Sequence, residues 1–202
     1  MTPQELFESA LSYYNGTEDI PQDYLKAYEQ FLVAAEAGHI EAQSYVGRML
    51  SMGVGVDKNY VEAVKWLRPA AEAGDKDAQH RYGVRLFQGI GIEENRSEAF
   101  YWIKQAAEQN HIKAMCNLGR CYYNGWGTEK DYISAYKWCL SAAEAGNVEA
   151  MVKVGDMLRE GKGVQRNHIN ARDWYKKAGK SNLARMRLAY MYAGYSIFDY
   201  SH

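Results

Sequence analysis

Several features that mark specialised protein classes are scarce or absent in this sequence. Its 202 residues include only 3 cysteines and 3 prolines, too few cysteines for the disulfide framework of a small secreted domain. Its 24 basic and 25 acidic residues leave a net charge of -1, whereas nucleic-acid-binding domains usually carry clustered positive charge. No apolar run approaches the roughly 18 residues that a membrane-spanning helix needs. The composition therefore excludes collagen-like, disordered and disulfide-scaffold classes and predicts no membrane insertion.

The N-terminal segment also lacks the features of a secretory signal. Glu5 and Glu8 stand where a signal peptide carries Lys or Arg, and no uninterrupted apolar segment accompanies them. We therefore expect a cytoplasmic protein with reduced thiols, or a periplasmic one if a leader has been removed. We also expect a monomer.

The sequence does contain an internal repeat. Four segments share a pattern of small, aromatic and glycine residues and start 36 residues apart, at Ala42, Ala78, Ala114 and Ala150. A weaker copy precedes them, and a shortened one begins at Ala184. Periods of this length are typical of solenoids, in which each unit buries its apolar face only against its neighbours.

Each repeat is predicted to form two helices. The first helix has an interior glycine in every one of the four segments, at Gly47, Gly83, Gly119 and Gly155. A glycine inside a helix costs about 1 kcal/mol relative to alanine, so its recurrence indicates close approach of two helices. The second helix has apolar residues at the spacing of a single helix face, as in Ala63, Trp66, Leu67, Ala70 and Ala71.

The helix boundaries show matching signals. A Gly-x-Gly turn such as Gly53 to Gly55 ends each first helix and supplies positive φ. Favoured N-cap residues then begin the second helices, at Asn59, Asn95, Asp131 and Asn167. Glu62 and Glu98, three residues after their caps, predict capping boxes. The sequence therefore predicts an all-α fold of helix-turn-helix repeats.

The pattern A-x3-L-G-x2-Y-x2-G-x-G, followed by an N-cap, A-x2-W and A-A-x2-G, resembles the Sel-one-like repeat (SLR) family, a relative of the tetratricopeptide repeat. The resemblance covers about residues 6–194. It implies a right-handed α-solenoid that holds other proteins together or holds them off, without catalytic activity of its own. The chain 1–202 is then expected to form a single solenoid, with repeats at about 6–41, 42–77, 78–113, 114–149 and 150–183, a capping helix at 184–194 and a tail at 195–202.

The tail is aromatic and has no repeat pattern. Its apolar residues are Tyr195, Ile197, Phe198 and Tyr200. Two interpretations stay open: the tail covers the last repeat, as a solenoid end requires, or it is disordered.

No catalytic, metal-binding or cofactor-binding constellation is found in the sequence. Gly179-Lys180-Ser181 resembles the end of a phosphate-binding loop, but Trp174 occupies the position of that loop's first glycine. Cys116 and Cys121 are five residues apart, about 140° around a helix, which is not zinc-pair spacing. We therefore expect a protein that is not an enzyme and has no cofactor.

The family resemblance leaves two interpretations of the cysteines open. Some secreted SLR proteins bridge their two helices by disulfides, which implies a Cys121–Cys139 bond. The alternative, which we favour, is that the cysteines are buried free thiols.

The candidate partner-binding surface lies on the first helix of each repeat. At about 100° per residue, the first alanine and the fourth, fifth and eighth residues after it pack, and the second, third, sixth, ninth and tenth lie opposite. The opposite positions vary among repeats and include aromatic, Met, Arg and His side chains, which favour interfaces. Trp126, in a turn, either plugs the neighbouring loop or contacts a partner. The predicted partner-binding residues are Tyr45, Arg48, Met52, His80, Arg81, Val84, Phe87, Asn117, Arg120, Tyr123, Asn124, Trp126, Lys153 and Asp156.

The leading hypothesis is a non-catalytic protein-interaction module that binds a peptide or a folded domain in a concave groove. A bacterial adaptor and an immunity protein that neutralises a toxin are two examples, and an ordinary solvated helix face is the structural alternative. A second hypothesis is an enzyme or regulatory thiol protein that uses the region of Cys116, Cys121 and His80. A third is nucleic-acid recognition, against which the near-neutral net charge argues. Its candidate residues are Arg48, Arg81, Arg120 and Lys153.

Overall fold

A computed structural model describes residues 1–179 and 181–198, with residues 193–198 described through their backbone alone. This part of the chain contains eleven α-helices and no strand. The fold is the predicted all-α solenoid fold of helix pairs. The helices are α1 (Pro3–Asn15), α2 (Tyr24–Glu36), α3 (Ile40–Met52), α4 (Tyr60–Glu72), α5 (Lys76–Gln88), α6 (Arg96–Glu108), α7 (Ile112–Asn124), α8 (Tyr132–Glu144), α9 (Val148–Glu160), α10 (His168–Lys177) and α11 (Asn182–Phe198).

The chain forms two compact units. The first unit, Met1–His111, contains α1 to α6, and the second unit, Ile112–His202, contains α7 to α11. We call the odd-numbered helices A helices and the even-numbered ones B helices. Within the described residues, no helix has the length and apolar character that a bilayer span requires.

The C-terminal end of the predicted solenoid is described less completely than the rest of the chain. The expectation of one continuous solenoid with the repeat boundaries given above stays a prediction. Helix α11 continues to Phe198, past residue 194, where the capping helix was predicted to end. Tyr200 and the side chains of Tyr195, Ile197 and Phe198 lie outside the described residues.

The predicted N-caps of the B helices are confirmed, but the predicted capping boxes are wrong. Asn59 and Asn95 accept the N–H groups of Glu62 and Glu98 on their side chains. The reciprocal bond from each cap's own N–H is missing, because that N–H donates to a carbonyl of the preceding A helix, Leu50 O in the case of Asn59 at 3.0 Å. The cap therefore joins the two helices of a repeat as well as beginning the second one.

The interior glycines bring the A and B helices of a repeat together, as predicted. A Cβ atom placed on Gly47 would lie 2.6 Å from Leu67 Cγ, and one on Gly155 would lie 2.5 Å from Tyr175 Cε1. The other two such pairs are Gly83 with Ile103 and Gly119 with Cys139. A buried B-helix side chain therefore lies directly against each glycine.

The second glycine of a Gly-x-Gly turn joins neighbouring repeats. Gly55 has φ +71, and a Cβ atom there would collide with the carbonyl of Tyr24 at the start of the preceding B helix. Gly91 lies against the carbonyl of Tyr60 in the same way, as Gly163 does against that of Tyr132. The sequence predicted the positive φ but not this contact, which only glycine permits.

The core lies between the A and B helices of each repeat and consists of small and aliphatic side chains. The first alanine of each of the four repeats is completely buried, as are Val46, Leu118 and Val154 at the fourth position after it. The positions predicted to pack therefore do so, and they fix which side of each A helix stays open.

Candidate protein-binding surface

The arc predicted to face outward on the A helices is narrower than expected. Ser44, Ser51, Cys116 and Val152 occupy the second and ninth positions of that arc, yet each is at most 5% exposed. These positions lie only about 40–60° around the helix from the packing residue at the fifth position, so neighbouring helices cover them. The open side consists mainly of the third, sixth and tenth positions.

None of the fourteen predicted site residues is fully buried. Met52 is exposed and the other thirteen are half-buried. Seven of them, from Tyr45 to Phe87, belong to the first unit, and the other seven, from Asn117 to Asp156, belong to the second. The two sets differ in which partners their charged side chains have.

In the first unit, Tyr45 belongs as much to the core as to the surface. Its ring stacks on that of Phe31 with a centroid distance of 4.6 Å. The guanidinium of Arg48 lies 4.4 Å from the Tyr45 ring centroid and 4.8 Å from that of Tyr14. Contacts of this kind between a cation and a ring are attractive, so the two tyrosines support Arg48 at the surface.

Arg81 and Arg85 lie on α5, four residues apart and therefore on one helix face. Burial lowers the pKa of Arg81, and the positive charges of Arg48 and Arg85 lower it further. Burial also lowers the pKa of Arg85, whose guanidinium lies 4.6 Å from the centroid of the Tyr60 ring. We call Arg48, Arg81 and Arg85 the arginine cluster.

The carboxylate of Asp77, whose charge acts on Arg81, already has a hydrogen-bond partner. Asp77 Oδ1 lies 3.1 Å from His111 Nε2, and this hydrogen bond is the main reason that the pKa of Asp77 is lowered. His80 stacks on the His111 ring with a centroid distance of 4.5 Å. His80 and Asp77 are thus held by His111.

Two apolar candidates complete the predicted residues of the first unit. Phe87 packs against the core of α4 to α6, and the guanidinium of Arg96 lies 5.6 Å from its ring centroid. Val84 is half-buried beside the arginines on α5. Together with the exposed Met52, they give the surface apolar area next to its positive charge.

In the second unit, Tyr123 is the centre of a polar network. Lys153 Nζ lies 3.1 Å from its ring centroid. The Tyr123 hydroxyl accepts a hydrogen bond from Lys162 Nζ at 2.8 Å and donates one to Glu160 Oε2 at 3.2 Å. Burial alone would raise the pKa of Glu160, but the hydrogen bond and charge of Lys162 lower it.

Arg120 is similarly compensated within the second unit. Its Nη1 donates to Glu149 Oε1 at 2.7 Å, and its guanidinium lies 5.8 Å from the Trp126 ring centroid. The Asn124 side chain donates to the backbone carbonyl of Arg120 at 2.9 Å. Asn117 is half-buried on the same helix.

Asp156 has structural contacts that the sequence did not reveal. Its Oδ1 accepts a hydrogen bond from the Tyr175 hydroxyl at 2.8 Å and lies 2.9 Å from Arg187 Nε. Its side chain is only 15% exposed. Asp156 therefore joins α9 to α10 and α11, and its carboxylate has little capacity left for a partner.

Arg85 was not among the predicted site residues, although the sequence contains a signal for it. Arg85 is the seventh residue after the first alanine of its repeat, and the equivalent residues Met49, Cys121 and Met157 are all buried. A charged residue at a position that otherwise holds a buried apolar one needs a reason other than packing.

The cysteines do not provide a reactive thiol. Cys116, Cys121 and Cys139 are buried free thiols. Burial raises the pKa of Cys116 and Cys121 to about 11, and since the thiolate is the nucleophile, both are inert near neutral pH. Within the described residues, no group of His, Cys, Asp and Glu could hold a metal ion.

Exposed apolar side chains also lie on the B helices of each unit. The second residue of four B helices is a large exposed apolar side chain, and none of the four was among the predicted site residues. They are Leu25 and Val61 in the first unit and Ile133 and Ile169 in the second. We call the pair in each unit its B-helix stripe, which competes with the A-helix faces of that unit as a place for a partner.

Comparison with protein families matches the Sel1 repeat over five consecutive segments, residues 6–39, 40–75, 76–111, 112–147 and 148–183. The chain belongs to the Sel1 repeat family. Sel1 repeat proteins are protein-interaction modules, typically without catalytic activity. No curated protein matches the chain significantly.

Two solved Sel1 repeat structures resemble the chain in sequence as well as fold. One is c5321, a protective antigen present in uropathogenic Escherichia coli, with 34% identity, a TM-score of 0.84 and coverage of 94% of this chain and 41% of that one. The other is a Sel1 repeat protein from Oxalobacter formigenes, with 32% identity, a TM-score of 0.85 and coverage of 95% and 76%. The chain thus spans less than half the length of the E. coli protein.

A more distant structure shares the Sel1 repeat fold alone. It is the immunity protein PA5088 from Pseudomonas aeruginosa, with 16% identity, a TM-score of 0.54 and coverage of 96% of this chain and 79% of that one.

Proposed function

We propose that this Sel1 repeat chain is a non-catalytic protein-binding module whose partner contacts the open sides of the A helices. The observation that carries the proposal is the contrast between neighbouring positions of one helix. The first alanine and the fifth-position glycine are buried and identical in all four repeats, whereas the third, sixth and tenth positions are half-buried or exposed, differ between repeats and include Arg, Tyr and Met. Arg and aromatic side chains account for much of the binding energy in protein interfaces.

The more specific form of the proposal is an immunity protein that binds and neutralises one toxin. Its support is the fold that the chain shares with the immunity protein PA5088. An adaptor, which would bind several partners, is the alternative. Co-expression separates the two, since an immunity protein restores growth of cells that produce its toxin and an adaptor does not.

A pair of matched substitutions tests where the partner binds. Met52 on an A helix and Val61 on a B helix are both exposed and belong to the same unit, with exposed fractions of 52% and 57%. An aspartate at either position leaves the core intact but places a charge in any interface there. We expect affinity capture from the source cells to retain a specific partner with wild type and Val61→Asp and to lose it with Met52→Asp.

Two outcomes would contradict this proposal. Loss of the partner with Val61→Asp alone would move the interface to the B-helix stripe of that unit. Capture of no specific protein by wild type would contradict a protein-binding function altogether.

A further inference from the structure

The arginine cluster differs from the other half-buried arginines of the chain. Within the described residues, none of its three guanidinium groups forms an ion pair. Every other half-buried arginine has a carboxylate oxygen within 4.0 Å. These paired arginines are Arg120, Arg159, Arg172 and Arg187. The cluster is thus a local excess of positive charge in a chain with net charge -1.

The positive charge of the cluster is only partly compensated within the folded unit. Arg48 and Arg85 each keep a buried Nε atom without a hydrogen-bond partner; Arg159, Arg172 and Arg187 do so too, but each of those three has a carboxylate oxygen within 4.0 Å. Arg81 is partly removed from water and repelled by both neighbours, and these effects lower its pKa although the charge of Asp77 opposes them. Half-buried charges are normally paired, because an unpaired one loses hydration without compensation.

The position of Arg85 indicates that packing does not require a charged residue there. The other repeats bury Met49, Cys121 and Met157 at this position, so the helix pair accepts an apolar side chain there. Arg85 instead places a guanidinium against the Tyr60 ring, as Arg48 lies against the rings of Tyr14 and Tyr45. A guanidinium that stacks by its face keeps its N–H edge available for a carboxylate.

We propose that the arginine cluster binds an acidic segment of the partner protein, whose Asp or Glu carboxylates pair with Arg48, Arg81 and Arg85. Planar carboxylates match the paired donors of a guanidinium. The adjacent Met52 and Val84 would contact apolar residues of the same segment. This inference rests on the proposed function and specifies the chemistry of the partner.

Nucleic acid fits the surface less well than an acidic protein segment. A nucleic-acid backbone repeats its charge over a long path and is matched by positive charge spread along a face. Here the half-buried arginines without an ion pair are three neighbouring side chains on α3 and α5 and do not form a long path. In the second unit, carboxylates pair with Arg120, Arg159 and Lys162, and Lys153 lies against the Tyr123 ring.

The direct test measures binding of a fluorescein-labelled peptide (Glu-Gly-Ser)₃ by fluorescence anisotropy, with (Gln-Gly-Ser)₃ as the uncharged probe. We expect the full chain to bind the Glu peptide more tightly than the Gln peptide and to lose affinity as salt is added. The double variant Arg81→Gln/Arg85→Gln should weaken binding by about tenfold or more, since hydrogen bonds between charged groups are removed.

A matched control keeps the number of charges equal. Arg166 and Arg185 are exposed and form no ion pair in the described structure, so Arg166→Gln/Arg185→Gln removes the same charge elsewhere. This control should bind the Glu peptide like wild type at moderate salt. Thermal unfolding separates binding from structure, because Arg81→Gln/Arg85→Gln should leave the melting temperature unchanged or raise it.

Three results would overturn the inference. They are equal affinity for the Glu and Gln peptides, equal loss of affinity in the two double variants, and tighter binding of a ten-nucleotide uridine RNA than of the Glu peptide. If the peptide fails to bind while Met52→Asp still abolishes capture of the cellular partner, only the inference about acidic chemistry fails and the proposed function stands.

Discussion

The contact between Gly47 and Leu67 predicts that an ordinarily stabilising substitution will destabilise this protein. Inside a helix, Gly→Ala usually stabilises by about 1 kcal/mol. Here the new Cβ would lie 2.6 Å from Leu67 Cγ and 3.1 Å from the carbonyl oxygen of Ala63. Leu67 is completely buried, so it has no space into which to move. Overpacking of this kind costs about 1–3 kcal/mol.

We therefore expect Gly47→Ala to lower the free energy of unfolding by up to about 2 kcal/mol, the overpacking cost less the gain in helix propensity. Urea unfolding followed by circular dichroism measures this change. Leu67→Ala by itself should cost about 2–5 kcal/mol because it leaves a cavity. In that background, however, the colliding Leu67 atoms are gone and only the 3.1 Å contact with the Ala63 carbonyl oxygen remains, so Gly47→Ala should be neutral or stabilising. The reasoning is refuted if Gly47→Ala stabilises the wild type or costs the same in both backgrounds.

Three further predictions concern single positions. Asn110 has φ 60 at a helix end where other repeats have glycine, such as Gly74. Asn110→Gly should therefore raise the free energy of unfolding by up to about 1 kcal/mol, and Gly74→Ala should lower it by about 1 kcal/mol. Urea titrations measure both changes. Asp156→Asn should cost about 1–3 kcal/mol in the same assay, because the hydrogen bond from Tyr175 and the ion pair with Arg187 are weakened; unchanged stability would show that the Asp156 carboxylate is available to a partner. The buried thiols keep their protons to a pKa of about 11, whereas unfolded thiols lose theirs near 9.0, so the free energy of unfolding should fall as the pH rises from about 9 to about 11. A variant with alanine at all three cysteines should lose this part of the pH dependence.

The repeat made the fold predictable because each structural requirement recurs in register. Gly47 and Gly155 could be recognised as sites of close helix approach. A single glycine inside a helix can occur by chance, whereas four at a spacing of 36 residues indicate a structural requirement. The N-cap at Asn59 was equally visible. Its missing capping box was not, because the competing acceptor, Leu50 O, lies nine residues earlier and is brought close only by the turn.

The surface was less predictable, because a helical wheel describes a single helix and does not include the neighbouring helices that cover part of it. The wheel placed Ser44 and Val152 on the open arc, but adjacent helices cover both. It also placed Asp156 there, without showing that Tyr175 and Arg187 would engage its carboxylate. The seventh position, which Arg85 occupies, was assigned to neither side of the helix, and only the structure shows that Arg85 belongs with Arg48 and Arg81.

Site-specific photocrosslinking in the source cells tests most directly whether the A-helix faces bind the partner. A photoreactive phenylalanine analogue would replace Met52 or Asn124 on the A helices, and Val61 or Ile133 in the B-helix stripes as controls. The account predicts that the same protein is crosslinked from the two A-helix positions and from neither B-helix position. Crosslinks from Val61 and Ile133 alone, or from none of the four, would contradict it.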